Sequence, residues 1–208
     1  MLFTFKIKLE GSSKPPIWRT LKMDGSHTFS ELHLGIQAIF NWQNTHLFQF
    51  SPKGWGSTPR LSENFNEDDW DEVPFSDLDT WPYGDRYDAA KIKLMDYFHS
   101  PKQKIVYIYD FGDDWKHSVT LIEITDEKLL TPQCVAGKGT APIEDCGGIW
   151  GYYEMVNVIN DPKHPEHKDF KKWLGFKSGE RWDENAFELK ETQGWLSKAW
   201  NLWNAKTE

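Results

Sequence analysis

Alternation opens the chain. Residues 2–10 put Phe3, Phe5, Ile7 and Leu9 on one side and Thr4, Lys6, Lys8 and Glu10 on the other, the period of two of a half-buried strand. The GSSKPP run breaks that period, and Ile17 to Met23 reads as a second strand, so the pair forms a hairpin with a longer loop. The period then changes. Thr28 and Glu31 have capping-box spacing, and the helix they open runs to about residue 41 with Phe29, Leu32, Ile36, Ile39 and Phe40 on one stripe. THLFQFSP, from Thr45, is a third strand. This β-β-α-β order resembles the start of a β-grasp fold.

Periodicity fades over residues 52–88, which read as a long acidic surface loop. It returns at Lys104 to Asp110 and Trp115 to Ile124, two strands joined by a turn at Gly112-Asp113. TPQCVAGKGTAPIEDCGG reads as loop. From about residue 148 the spacing is helical in GYYEMVNVIN, in PEHKDFKKWLGF, and from Asp183 to about Trp203, with Asp183 as N-cap and Trp195, Ala199 and Leu202 as the stripe. The fold class is therefore α+β. A mixed or antiparallel sheet with a β-grasp-like start and a central β-hairpin is followed by C-terminal helices packed on the sheet, within one domain spanning residues 1–208.

Composition changes this picture in two places. Aromatics make up 15% of the chain, so a few large side chains fill the core. The net charge of −8 comes from one segment: residues 61–85 hold nine carboxylates and no Lys or Arg, and the rest is nearly balanced. A global basic footprint for nucleic acid is absent. The acidic run reads as a solvated loop. No apolar run is long enough to span a bilayer and the N-terminus lacks a signal-peptide core, so the expectation is a cytoplasmic protein without a membrane partner. Two cysteines make no disulfide framework.

Candidate chemistry concentrates in YIYDFGDDWKHSVTL, residues 107–121. With a two-residue turn at Gly112-Asp113, Asp110 faces Trp115 and Ile108 faces His117, which makes Asp110 and His117 diagonal neighbours on one face. An Asp set against an imidazole raises its basicity, which suits general-base work or a metal site. The alternative is an ordinary turn whose Asp caps its own backbone. Glu144 and Asp145, ahead of Gly147-Gly148, join Asp110, Asp114 and His117 if their loop folds over the hairpin. Such an Asp/Glu/His cluster would take a divalent metal ion as cofactor, although the sequence fixes none. Cys134, Cys146, His164 and His167 can be drawn as a zinc site, but their spacing argues against it. Cys146 ahead of a helix start is a candidate for a depressed thiol pKa, set against the commoner inert, buried cysteine. Lys14, Trp18 and Arg19 could present a stacking and phosphate surface to nucleic acid.

PPIWRTL, FSELHLGIQAIFNWQNTHLFQF, YIYDFGDDWKHSVTLIE, CVAGKGTAPIEDCGGIWGYYEM, DPKHPEHKDFKKWLG and WDENAFEL carry a resemblance that spans nearly the whole chain. The chain is similar to the plasmid pRiA4b ORF-3-like family, whose members also occur as transposon passenger proteins labelled TnpR-like. Two departures stand out: Phe48 where the family often has a second His, and Pro142-Ile143 where it favours a Pro pair. The resemblance implies an α+β domain and no particular reaction. Recombinase chemistry fits poorly, because Arg19, Arg60, Arg86 and Arg181 are the only arginines. The leading expectation is a non-catalytic accessory or interaction module of a mobile-element-associated family, whose partner is a protein or a nucleic acid. The alternatives are a metal-dependent hydrolase or nuclease built on the Asp/Glu/His cluster, and a nucleic-acid-binding protein.

Overall fold

A computed structural model describes residues 1–63 and 86–207. Most of the acidic segment, residues 64–85, lies outside the described residues.

The first strand, β1 (Leu2–Leu9), buries Phe3, Phe5, Ile7 and Leu9 and leaves Lys6 and Lys8 in solvent, so its alternation does set its faces. It pairs antiparallel with β2 (Trp18–Asp24), Phe5 opposite Leu21. The next element is α1 (Phe29–Phe40). The Thr28 hydroxyl accepts from the Glu31 N–H at 3.3 Å, and the Glu31 carboxylate accepts from the Thr28 N–H at 2.6 Å. Two otherwise orphaned donors are satisfied at the helix start. The stripe read from the sequence is fully buried, each large side chain contributing about 1.5–3 kcal/mol.

Among the described residues one 8-stranded sheet carries the fold, in the order β5-β4-β3-β6-β7-β1-β2-β8. Its further members are β3 (Phe48–Ser51), β4 (Arg60–Ser62), β5 (Arg86–Asp88), β6 (Lys104–Tyr109), β7 (Trp115–Thr125) and β8 (Gln133–Lys138). All pairs are antiparallel except β4 with β5. The β-β-α-β order exists along the chain, but it does not establish a β-grasp, because β3 lies against β6 and the second neighbour of β1 is the antiparallel β7.

Three strands sit where the sequence reads as loop. Short β4 and β5 flank the acidic segment, and Leu61 of β4 is buried in the core. The edge strand β8 buries only Cys134 in a QCVAGK run too short and mixed to show a period.

Helices complete the chain: the short α2 (Leu94–Tyr97), α3 (Gly148–Asn160), α4 (His167–Trp173) and α5 (Leu189–Thr207). The last begins later than expected. Asp183 caps a turn instead, accepting the Asn185 N–H at 2.9 Å. The buried side chains of α5 are Thr192, Leu196 and Trp200, one residue out of phase with the expected stripe, and Leu202 is exposed. No helix among the described residues is long and apolar enough to cross a membrane.

Candidate functional site

The β6–β7 hairpin does not turn at two residues. Tyr109 faces Trp115 and Tyr107 faces His117, so residues 110–114 form the connection. The left-handed backbone falls on Asp110 (φ 54°) and Asp114 (φ 55°), while Gly112 has no positive φ. Aspartate tolerates that region, and here its carboxylate repays the strain by local bonding. Asp110 Oδ1 accepts the N–H groups of Gly112 at 2.9 Å and Asp113 at 3.3 Å. The expected sharing of one face by Asp110 and His117 is therefore corrected. His117 lies on the face of Tyr107 and Trp115, fully buried against Phe40 and Trp42. Its Nδ1 meets the Trp115 carbonyl at 3.1 Å, and burial holds its pKa down at about 3. That is a core histidine kept neutral.

The EDCGG loop does fold over the hairpin. The Gly147 N–H donates to Asp113 Oδ2 at 3.1 Å. Gly148 has φ +67°, and a Cβ there would lie 2.3 Å from the Asp113 carbonyl oxygen. A Cβ on Gly151 would fall 1.8 Å from the Cys146 carbonyl oxygen. The glycines of this motif thus permit backbone to approach backbone.

That closure delivers the acidic pair to different tasks. Glu144 is buried. Its carboxylate accepts the Tyr109 hydroxyl at 2.6 Å and the Gln43 N–H at 2.7 Å. Burial, then the bond to Glu144, pushes the Tyr109 pKa up to about 12. Asp145, in left-handed backbone (φ 59°), turns outward and sets Oδ1 3.1 Å from His46 Nε2. Asp110 Oδ2 lies 3.7 Å from the same nitrogen. The Asp145 approach lacks hydrogen-bond direction and the Asp110 approach is too long, so Nε2 is enclosed without a hydrogen-bonded partner. One ligand atom each from His46, Asp110 and Asp145 falls within 4.8 Å of the others.

The remaining candidates are placed elsewhere. Asp114 accepts the Trp55 indole N–H at 2.7 Å and pairs with Lys116 at 2.7 Å. Cys134 lies under α5, its N–H donating to the Gln193 carboxamide at 2.8 Å. His164 accepts the Glu166 N–H at 3.3 Å, and His167 Nδ1 meets the Val158 carbonyl at 3.0 Å. Among the described residues no cysteine joins a metal-ligating group, and both cysteines are free. Of the two readings of Cys146, activated or inert, the geometry favours the inert one: burial, reinforced by Asp113 and Asp145, pushes its thiol up to about 12. Burial likewise raises Cys134 to about 11.

Lys14, Trp18 and Arg19 form no common surface. Lys14 is exposed, Lys6 lies 4.5 Å over the Trp18 ring, and Arg19 is buried. Cations gather instead around a groove of about 730 Å³ lined by Lys168, Lys171, Lys172, Lys177 and Arg181. Sequence reasoning placed His46 only at the start of a strand. The available signal was an imidazole just ahead of β3, which pairs with β6 and so ends beside the hairpin loop.

The glycine-fixed closure involves the same YDFGDDW and EDCGG segments that carry the sequence resemblance, and residues 1–191 match the family described as Plasmid pRiA4b ORF-3-like protein. The chain belongs to this family. A relative from Sinorhizobium fredii (strain NBRC 101917 / NGR234), Uncharacterized protein y4hQ, is 28% identical over 190 residues, covering 90% of this chain and 88% of its own. The crystal structure of the protein of unknown function MM3350 from Methanosarcina mazei Go1 is similar at a TM-score of 0.70 and 32% identity, over 91% of this chain and 96% of that one. Neither relative's name carries an activity.

Proposed function

We propose that this pRiA4b ORF-3-like protein is a non-catalytic interaction module organised by a divalent first-row metal ion, held by His46, Asp110 and Asp145. The observation that carries the reading is the enclosed His46 Nε2, which has two carboxylate oxygens beside it and no hydrogen-bonded partner. One imidazole and two carboxylates suit Zn²⁺ or Mn²⁺ better than a purely oxygen-seeking cation. The ion would tie together the entry to β3, the hairpin loop and the EDCGG loop.

The structural bonds made by the neighbouring carboxylates support a module. Glu144 is engaged by Tyr109 and Gln43, Asp113 by Gly147, and Asp114 by Trp55 and Lys116. A metal-dependent hydrolase is the second reading. It is favoured by the 68% exposure of the Asp145 side chain, since a three-ligand ion open to solvent keeps a position for water. Titration calorimetry with Zn²⁺ and Mn²⁺ tests the first reading: one ion per chain is expected, bound at least tenfold more weakly by Asp145→Asn, and no saturable binding refutes it. Metal-dependent hydrolysis of bis(4-nitrophenyl) phosphate that Asp145→Asn abolishes would select the second reading. Salt-dependent capture of single-stranded oligonucleotides, lost when Lys168, Lys171 and Lys172 are changed to Glu, would move the function to the cationic groove.

A further inference from the structure

We infer that the cavity floored by Arg19 binds a small organic monocarboxylate with an aryl or branched alkyl body. The inference does not rest on the metal site. Arg19 projects from β2 and is only 3% exposed, yet among the described residues no carboxylate lies within ion-pair distance of it. Nε donates to the Ile39 carbonyl at 3.2 Å, and Nη1 donates to the carbonyls of Trp18 at 2.9 Å and Lys138 at 3.0 Å. The guanidinium also lies 5.2 Å from the Phe40 ring centroid and 4.6 Å from that of Phe187. Among the described residues, these bonds engage Nε and Nη1, and none is made by Nη2.

This setting is built into the backbone. A Cβ on Gly137 would lie 2.5 Å from the Phe187 ring and 2.9 Å from Arg19 Cδ, so only glycine at this point of β8 lets Phe187 rest on Arg19. Carbonyls and rings hold this cation away from water with no carboxylate beside it among the described residues, and burial lowers its pKa to about 10. A carboxylate brought to the open edge of the fork would supply the missing charge and accept from Nη2.

The cavity around that edge has a volume of about 410 Å³, enough for a ligand of roughly ten heavy atoms. Phe187, Trp182, Trp195 and Ile143 offer it apolar wall. Glu144 also lines the cavity, its carboxylate engaged by Tyr109 and Gln43, and Glu188 and Glu191 are exposed in its lining; three carboxylates disfavour a polyanion such as a nucleotide, so the ligand carries a single negative charge, held at Arg19.

The test is a titration followed by NMR, using benzoate, phenylacetate, indole-3-acetate and 4-methylvalerate, each beside its primary amide. At least one acid is expected to shift the Arg19 Nε–H and Trp195 indole resonances saturably, with an affinity at least tenfold above that of its amide. Phe187→Ala, which leaves Arg19 in place, is expected to weaken that acid at least fivefold while the circular dichroism spectrum is unchanged. Should Phe187→Ala fail to fold, the acid-to-amide ratio decides alone. The inference is overturned if every acid binds no better than its amide, or if saturable shifts spare Arg19 and Trp195.

Discussion

Alanine substitution at the two adjacent glycines of the EDCGG motif separates backbone strain from steric exclusion. Gly147 (φ +87°) and Gly148 (φ +67°) are both left-handed, so an alanine at either costs about 1–2 kcal/mol for conformation alone. Only one site is crowded. A Cβ at Gly147 has nothing closer than 3.7 Å, whereas at Gly148 it would stand 2.3 Å from the Asp113 carbonyl oxygen. That oxygen belongs to backbone and cannot swing aside, so the two loops must part, at a further cost of about 1–3 kcal/mol on the scale of overpacked sites. Gly148→Ala should therefore exceed Gly147→Ala by that further amount in urea unfolding. For a chain of this size each kcal/mol lowers the melting temperature by about 2–4 °C. Equal losses in the two variants, within about 0.5 kcal/mol, would refute the claim that close loop approach governs this region.

Three other outcomes follow from the geometry. Tyr109→Phe should lose about 1–3 kcal/mol in denaturant unfolding, because buried Glu144 and the Thr45 N–H both lose a partner; an unchanged midpoint contradicts this. His33 and His117 are buried with folded pKa values near 3, below the unfolded 6.5, so the unfolded chain binds the extra protons as pH falls. Stability is full above pH 6.5 and drops toward pH 3, with each histidine contributing roughly 1 kcal/mol per pH unit; His117→Gln should halve the slope between pH 6.5 and 5, and an unaltered slope counts against the assignment. Iodoacetamide should modify Cys134 and Cys146 at pH 8 at least tenfold more slowly than free cysteine, since burial suppresses both thiolates; rapid labelling would show that they are activated.

Some elements of this molecule are readable in the sequence and others obscure, for identifiable reasons. β1 and α1 announce themselves because each buries one face and solvates the other, so burial imprints its period on the residues. β8 imprints none, being an edge strand that buries one cysteine beneath α5. The hairpin was visible as a pair of strands, but its register was not. The left-handed turn at Asp110 is supported by carboxylate-to-backbone bonding, and the five-residue connection it opens sets a register that places His117 in the core. The folding of the EDCGG loop onto the hairpin was legible only as a condition, since the contact joins residues 113 and 147. His46 was hidden because its role depends on β3 pairing with β6, a long-range choice with no local signature.

The central claim, that His46, Asp110 and Asp145 hold one divalent cation, is tested most directly by anomalous diffraction from crystals equilibrated with zinc. The account expects a single strong peak about 2.0–2.2 Å from His46 Nε2 and from one oxygen each of Asp110 and Asp145. A peak on Cys146 or the His164–His167 pair, or no ordered zinc at the hairpin loop, would contradict it.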